Sequence, residues 1–256
     1  MTIGLLHPGE MGSAVGAALR AAGHEVLWAS AGRSPETAER AERAGLTDAG
    51  TIQELAGRSE VILSICPPHA ALGVARSLAG FDGIVVDANA VAPATAREIG
   101  SVAGGSFVDG GIIGSPPSEP GSTRLYLAGA EAKRVAALFA GTALEARVLS
   151  DEPGEASALK MAYAAWTKGT TALLLAIREL AVAEGVEAAL LDEWRLSLPE
   201  LLERSPAAAR SAARKGWRWV AEMEEIASTF ASAGLPSGFH EAAADVFRAR
   251  PKAEVA

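Results

Sequence analysis

The sequence predicts an α/β fold followed by an all-helical domain, and two observations carry this prediction. Up to about residue 150, short apolar strand candidates alternate with helix candidates. That order is typical of a doubly wound, mostly parallel sheet. From residue 151 the strand candidates stop and long helical patterns follow. We therefore expect an α/β domain at 1–150 and a helical domain at 151–256, joined by a long helix.

The individual helix and strand candidates of residues 1–150 support the α/β prediction. Helix patterns follow the first strand candidate up to Arg20, begin at Pro35 after the helix-start residue Ser34, cover 69–78 and end near Val102. Another lies between the last two strand candidates. The strand candidates are residues 2–6, 25–29, 61–65, 84–87, 106–109, 125–127 and 146–149.

The second half is dominated by one long helix candidate at 154–184. Its apolar residues recur with the 3, 4, 7 spacing of one helical face, and acidic residues precede it. A helix of this length exceeds the need of one small domain, so we interpret it as the element that joins two domains. Further helices are expected at 187–204, 206–232 and 238–249, with Ser205-Pro206 marking a helix start.

Composition excludes several classes of function. The net charge of -8 argues against nucleic-acid and anionic-membrane partners, and no apolar run is long enough to cross a bilayer. The N-terminal residues lack the features of a signal peptide. Cys66 is the single cysteine, so a disulfide framework is excluded and a cytoplasmic location is expected. No residue spacing suggests a metal site.

The glycine turn after the first strand is the strongest local signal. Gly9, Glu10, Met11 and Gly12 lie between a strand and a helix, as in a dinucleotide-binding Rossmann unit. There, glycines let the backbone approach the pyrophosphate, which the helix N-terminus faces. His7 takes the place of the usual first glycine. A plain glycine loop is the alternative interpretation.

The loop after the second strand indicates which cofactor is preferred. An NAD-binding protein usually ends this strand with an acid that binds the ribose hydroxyl groups. This chain instead carries Ser30, Arg33 and Ser34, which suit a 2′-phosphate. The sequence therefore favours NADP(H) over NAD(H), unless Arg33 is simply a solvated loop residue.

Several segments together resemble a known family. The segments GLLHPGEMG (4–12), Pro67-Pro68, DANAVAP (87–93) and VDGGIIGSPP (108–117) are similar to those of the 3-hydroxyacid dehydrogenase superfamily. That superfamily includes 6-phosphogluconate dehydrogenase, 3-hydroxyisobutyrate dehydrogenase and the imine reductases. Segments 154–169 and 216–227 resemble a branch of phosphogluconate-dehydrogenase-like reductases. The resemblance covers nearly the whole chain.

The resemblance implies roles for individual residues. It places Lys160 at the position of the catalytic lysine of the family, with Gly154 ahead of it. The implied cofactor contacts run from the pyrophosphate (Gly9, Glu10, Met11) through the adenosine phosphate (Arg33, Ser34) and the bridging riboses (Pro67) to the nicotinamide ribose (Asn89).

The departures from the family concern the substrate. Hydroxyacid-specific members carry Ser-Gly-Gly where this chain has Ile113, Gly114 and Ser115. They also carry asparagine four residues after the lysine, where this chain has Ala164, preceded by Tyr163. Both changes remove hydrogen-bond partners for a substrate carboxylate or hydroxyl. Segment 108–117 is nearer the imine reductases, which usually lack the lysine.

Physical chemistry supports Lys160 separately from the resemblance. Apolar neighbours and a positively charged oxidised nicotinamide would destabilise its ammonium, so that Lys160, together with Tyr163, could exchange a proton with the substrate. A solvated helix lysine is the alternative. Trp217 and His240 are candidates for lining the substrate pocket, with ordinary packing as their alternative.

Together these observations predict an NADP(H)-dependent oxidoreductase that transfers hydride to or from a small carbonyl or hydroxyacid-type substrate. Lys160 is the predicted general acid and base. An imine reductase and a non-catalytic NADPH-binding protein are the two alternatives. We also expect a homodimer, because the helical domain is too elongated to cover its own apolar faces.

Overall fold

The computed structural model describes residues 1–250 of the 256-residue chain. The chain divides into two units, residues 1–160 and the residues from Met161 onward. Residues 251–256 of the predicted helical domain lie outside the described residues.

The elements of the first unit are β1 (Thr2–Leu6), α1 (Glu10–Ala21), β2 (Glu25–Trp28), α2 (Pro35–Arg43), β3 (Thr47–Asp48), α3 (Ile52–Arg58), β4 (Val61–Ser64), α4 (Pro68–Arg76), β5 (Ile84–Asp87), α5 (Pro93–Val102), β6 (Ser106–Gly114), β7 (Thr123–Ala128), α6 (Ala132–Ala137), β8 (Leu144–Ser150) and the start of α7 (Glu155–Ala183).

The strands of residues 1–160 form one eight-stranded sheet in the order β3-β2-β1-β4-β5-β6-β7-β8. Neighbouring strands are parallel except for β6 and β7, which pair antiparallel. The predicted doubly wound, mostly parallel sheet is therefore confirmed.

Apolar residues cover both faces of this sheet. Successive residues of one strand point to opposite faces, so Leu5 and Leu63 belong to one core cluster while Leu6 and Ile62 belong to the other. This is why the central strands read as continuous apolar runs rather than alternating patterns.

Two elements of this unit were not predicted. Strand β3 is only two residues long and exposed, so it carries no apolar signal. Helix α3 begins with a capping box, in which Thr51 and Glu54 bond to each other's backbone N–H groups. The Thr-x-x-Glu spacing was a readable signal for this helix.

Strand β6 is longer than predicted. The prediction ended it at Asp109, before a glycine pair, but the strand continues through Gly110 and Gly111 to Gly114. A Cβ at Gly110 would lie 3.0 Å from the Asp87 carbonyl oxygen, and one at Gly111 would lie 2.7 Å from the Ala156 carbonyl oxygen. These two glycines therefore lie within a strand and do not form a turn. Their missing side chains let the backbone of other segments come close to the strand.

The second unit contains the remainder of α7, then α8 (Glu187–Ser197), α9 (Leu201–Ser232) and α10 (Gly238–Arg248). Helix α7 matches the prediction, but the predicted helix start at Ser205-Pro206 is wrong, because α9 runs through Pro206. Leu202 and Ala208, on either side of the proline, both pack in the cluster around Trp194. That packing holds the helix together across the missing N–H donor. None of the helices within residues 1–250 is long and apolar enough to cross a membrane.

Candidate active site

The sheet brings the predicted cofactor residues to a single edge. Strands β2, β1, β4 and β5 are parallel neighbours, so their carboxyl ends meet at the same edge. The chain turns in opposite directions from β1 and β4, which makes the gap between them a topological switch point, where such sheets bind ligands. The predicted residues that follow these four strands are Gly9, Glu10, Met11, Gly12, Ser30, Arg33, Ser34, Pro67 and Asn89.

The two glycines of the first turn have different structural roles. His7 adopts a left-handed backbone conformation with φ of 66°, and its carbonyl oxygen accepts a hydrogen bond from Gly9 N at 2.7 Å. A Cβ at Gly12 would lie only 2.5 Å from that carbonyl oxygen, whereas one at Gly9 would lie 4.0 Å from it. The fold therefore requires glycine at position 12, and its own packing leaves room for a side chain at position 9.

Helix α1 directs its N-terminus at this turn. It begins at Glu10 after Gly9, which has no side chain to cap the first N–H groups. Ser13 Oγ donates to the Gly9 carbonyl oxygen at 2.7 Å. Glu10, the first residue of the helix, is exposed. An uncapped helix N-terminus carries partial positive charge and suits a phosphate.

Three buried polar atoms at this edge have no hydrogen-bond partner among residues 1–250. They are His7 Nδ1, Arg33 Nε and Asp87 Oδ2, which belong to the ends of β1, β2 and β5. Burial, and secondly the nearby Arg33 guanidinium, lower the pKa of His7 to about 4. Leaving a buried polar group unsatisfied costs about 1–3 kcal/mol, so a polar ligand at this edge would be stabilised. The phosphates and hydroxyl groups of a dinucleotide fit this set of donors and acceptors.

Helix α2 adds two residues that the sequence prediction missed. Arg40 donates from Nε to the Pro8 carbonyl oxygen at 3.4 Å and from Nη2 to Thr37 Oγ1 at 3.1 Å. Thr37 Oγ1 also lies 3.3 Å from Ser34 Oγ. Ser34, Thr37 and Arg40 follow one another at three-residue spacing along one side of the helix. Extending that spacing from Ser34 would have identified them.

Asn89 is used inside the protein. It is only 2% exposed, its Oδ1 accepts from Cys66 N at 2.5 Å, and its Nδ2 donates to Ser64 Oγ at 3.1 Å and to Asp87 Oδ1 at 2.5 Å. It thereby ties the turn that carries Cys66 and the exposed Pro67 to the end of β5. Burial raises the pKa of the Cys66 thiol to about 12, so this cysteine stays protonated.

Lys160 is held by contacts within the first unit. Asp109 on β6 accepts hydrogen bonds from Gly154 N (2.8 Å), Ser157 N (2.9 Å) and Ser157 Oγ (2.6 Å), and so caps the N-terminus of α7. The absence of a side chain at Gly111 lets α7 approach the strand. Lys160 Nζ then donates to the Ile112 carbonyl oxygen at 2.7 Å. The ammonium of Lys160 is therefore anchored to the backbone of β6. This strand is the neighbour of β5, the last of the four strands that end at the cofactor edge.

The residues predicted to contact substrate are not alike in exposure. Ile113 is buried at 4%, whereas Gly114 and Ser115 are exposed at the end of β6. The Ser115 carbonyl oxygen accepts a hydrogen bond from Thr123 Oγ1. In this stretch only the exposed pair is available to a ligand.

The remaining predicted residues belong to the second unit. Tyr163 is 46% exposed and Trp217 is 41% exposed, with the Arg218 guanidinium 5.8 Å from the centroid of the Trp217 ring. His240 is 6% exposed and packs between Phe230 and Phe239, at 4.3 Å and 5.3 Å between ring centroids. Within the described part of the chain, no three His, Cys, Asp or Glu residues are grouped so that they could hold a metal ion.

Two known protein families and one relative match parts of this chain. Residues 2–91 match the family described as NADP oxidoreductase coenzyme F420-dependent, and residues 181–249 match a domain of unknown function, DUF1932. An uncharacterised 28.5 kDa protein in the 7S RNA 5′ region of Methanothermus fervidus is 32% identical over 184 residues, which cover 71% of this chain and 68% of that protein.

Two solved structures resemble this chain over nearly its full length. The conserved protein MTH1747 of unknown function, described as structurally similar to 3-hydroxyacid dehydrogenases, is 29% identical, with 98% of both chains covered and a TM-score of 0.70. A reductive aminase from Aspergillus terreus in complex with NADPH and ethyl levulinate shares the fold at 19% identity, with 97% and 93% covered and a TM-score of 0.62. The chain belongs to the family of the Methanothermus fervidus protein, within the 3-hydroxyacid dehydrogenase superfamily of oxidoreductases.

Proposed function

We propose that this protein is a cytoplasmic, NADP(H)-dependent oxidoreductase that transfers hydride to or from a small carbonyl or hydroxyacid-type substrate. The observation that carries the proposal is the set of unsatisfied buried atoms of His7, Arg33 and Asp87 at the carboxyl edge of the sheet, the edge at which α1 begins. The match of residues 2–91 to an NADP oxidoreductase family supports a nicotinamide cofactor. So does the NADPH bound by the reductive aminase of the same fold.

The predicted site residues would have separate roles in cofactor binding and in proton transfer. Gly9, Glu10, Met11 and Gly12 would receive the pyrophosphate on backbone N–H groups, and Asn89 would keep Pro67 in place beside the riboses. A bound nicotinamide supplies or accepts the hydride. Lys160 Nζ would hold the proton that accompanies it, with Tyr163 as its partner, and the helical domain would contribute the substrate-binding and dimerising surfaces.

We expect Arg33→Ala to lower NADPH affinity by about tenfold or more and to leave NADH affinity nearly unchanged. The reason is that a guanidinium–phosphate contact is charge-assisted, and its loss leaves the 2′-phosphate only the weaker hydrogen bonds of neutral groups such as Ser30 and Ser34. Titration calorimetry with both cofactors measures this. Arg43→Ala is the matched control, because this arginine of α2 is exposed and paired with Glu39. Tighter binding of NADH than of NADPH by the unchanged protein would refute the cofactor assignment.

The substrate class is best tested by a screen with NADPH that follows the cofactor's absorbance. The panel should contain small hydroxyacids, carbonyl compounds and cyclic imines. Imine reduction is the second candidate, because segment 108–117 resembles that of the imine reductases. The fully buried Ala164 also offers no polar side chain where hydroxyacid-specific members carry asparagine. A Lys160→Ala variant that retains full reduction of a cyclic imine would support that alternative. Tight NADPH binding with no turnover across the panel would favour a non-catalytic protein.

We propose in addition that one face of α7 pairs with a second copy of this chain. Tyr163, Trp166, Leu173 and Leu180 are 46%, 66%, 44% and 61% exposed, and their spacing places them along one side of the helix. We expect a dimer in sedimentation analysis, and a monomer for the double variant Trp166→Glu with Leu173→Glu. Leu196→Glu on α8 is the control, since it changes a leucine elsewhere that is even more exposed, at 81%. A monomeric unchanged protein at micromolar concentration would contradict the proposal.

A further inference from the structure

Two buried carboxyl groups lie side by side on the neighbouring strands β5 and β6. Asp87 on β5 and Asp109 on β6 are paired residues of neighbouring parallel strands. Paired residues of parallel strands direct their side chains to the same face of the sheet. Asp87 is 1% exposed and Asp109 is fully buried. Two carboxylates this close in a buried environment cannot both ionise without strong mutual repulsion.

The hydrogen-bond donors around the two groups are unequal. Asp109 accepts from two backbone N–H groups and one hydroxyl at the N-terminus of α7, where the helix dipole also favours a negative charge. Asp87 accepts from Asn89 Nδ2 at Oδ1, and its Oδ2 has no partner in the described chain. Donors stabilise the ionised form, so the environments separate the two carboxyl groups into one anion and one neutral acid.

We propose that Asp87 and Asp109 share a single proton in mildly acidic solution, held on Asp87, and act together as a positioning pair for the active site. The anionic Asp109 fixes the first turn of α7, which carries Lys160. The neutral Asp87 fixes Asn89, and through it the turn at Cys66 and Pro67. The consequence for cofactor binding rests on the proposed function, whereas the protonation of the pair does not.

Burial raises the pKa of both carboxyl groups, but at Asp109 the hydrogen bonds from Ser157 and Gly154 oppose this increase. Burial and repulsion from Asp109 raise the pKa of Asp87 to about 7, against the opposing effect of its hydrogen bonds from Asn89. The titratable groups that face Asp87 are Asp109 on β6 and the Cys66 thiol on the turn after β4, and the thiol stays neutral because its pKa is about 12. Neither group supplies the positive charge that would favour an Asp87 carboxylate.

The pair makes stability depend on pH in a defined direction. The pKa of Asp87 is higher in the folded protein, about 7, than its ordinary value of 3.8. The stabilisation from its neutral form is therefore complete below about pH 4 and is lost as the pH rises from there to about 7. Above this range, an Asp87 carboxylate repels the carboxylate that caps α7. Folding stability should therefore already have declined by about pH 7, and cofactor affinity should weaken as Asp87 ionises.

The decisive experiment compares the full-length protein with Asp87→Asn in thermal unfolding from pH 4 to pH 8. The asparagine keeps an acceptor for Asn89 and removes the ionisation. We expect nearly equal melting temperatures at pH 4 and an advantage for Asp87→Asn that grows to roughly 5 °C or more above pH 7. Asp82→Asn, an exposed aspartate just before β5, is the control and should follow the unchanged protein. Parallel profiles for the unchanged protein and Asp87→Asn would overturn the proposal.

Two further measurements keep the proposal testable. Carbon NMR of the Asp87 carboxyl group in the unchanged protein gives its titration directly, even if the variant fails to fold. A midpoint near 7 is expected, and a midpoint below about 5 would overturn the proposal. NADPH titration should show weakening above pH 7 for the unchanged protein and a flat profile for Asp87→Asn. Absence of NADPH binding at every pH would contradict the proposed function, while the unfolding profiles would still decide the protonation of the pair.

Discussion

Lys160→Ala is expected to lower turnover on a carbonyl or hydroxyacid substrate by about 10²–10⁴-fold, the range typical of general acid–base catalysis. Alanine keeps the Cβ that packs near Gly111 and favours the helix, so the first turn of α7 should remain in place. What is lost is the Nζ that the Ile112 carbonyl oxygen holds. NADPH affinity should stay within about twofold, because the effect lies in the transition state and not in cofactor binding.

Steady-state kinetics with NADPH, alongside calorimetric titration, checks this expectation. Lys133→Ala on α6 is the matched control, since this lysine is exposed and lies outside the site. Lys160→Arg should also lose activity, because a guanidinium keeps the charge but does not exchange a proton near neutral pH. Unchanged turnover of the Lys160→Ala variant on such a substrate would remove Lys160 from the mechanism.

Gly12→Ala should lower the folding stability, whereas Gly9→Ala should lower the affinity for NADPH. At position 12 a Cβ would meet the His7 carbonyl oxygen at 2.5 Å, so the backbone must shift. Overpacking of this kind costs about 1–3 kcal/mol, which corresponds to a drop in melting temperature of roughly 2–12 °C. At position 9 the φ of −70° suits any residue and the nearest atom would be 4.0 Å away, so folding should be unaffected. There the added methyl group should reduce NADPH affinity by about tenfold or more, because it occupies the path of the pyrophosphate.

Thermal melting and NADPH titration of both variants separate these effects. Gly57→Ala is the control, since among residues 1–250 no atom comes within 4 Å of a Cβ at that helical position. Unchanged NADPH affinity for Gly9→Ala would show that the pyrophosphate does not lie over this turn. A Gly12→Ala variant as stable as the unchanged protein would show that the turn relaxes more easily than its geometry indicates.

Much of the first unit was predictable from local patterns. The central strands are buried on both faces and their helices begin at prolines or glycine turns, so each element carries its own signal in a few consecutive residues. The exceptions follow the same logic. Strand β3 is short and exposed, and β6 continues through two glycines whose purpose is contact with Asp87 and Ala156, far away in sequence. Pro206 failed as a helix start because packing on both sides of it outweighs one lost hydrogen bond.

The sequence by itself determined the fold class, the position of the glycine turn, the basic loop at Arg33 and the placement of Lys160 at the start of a long helix. Only the tertiary structure decided that Asn89 turns inward, that Arg40 reaches the Pro8 carbonyl oxygen, and that Asp87 and Asp109 stand in register. The physical reason is that these relations depend on strand register and on helices packed from distant parts of the chain. Local periodicity records which face of an element is buried, but it does not record which residue of another element meets it there.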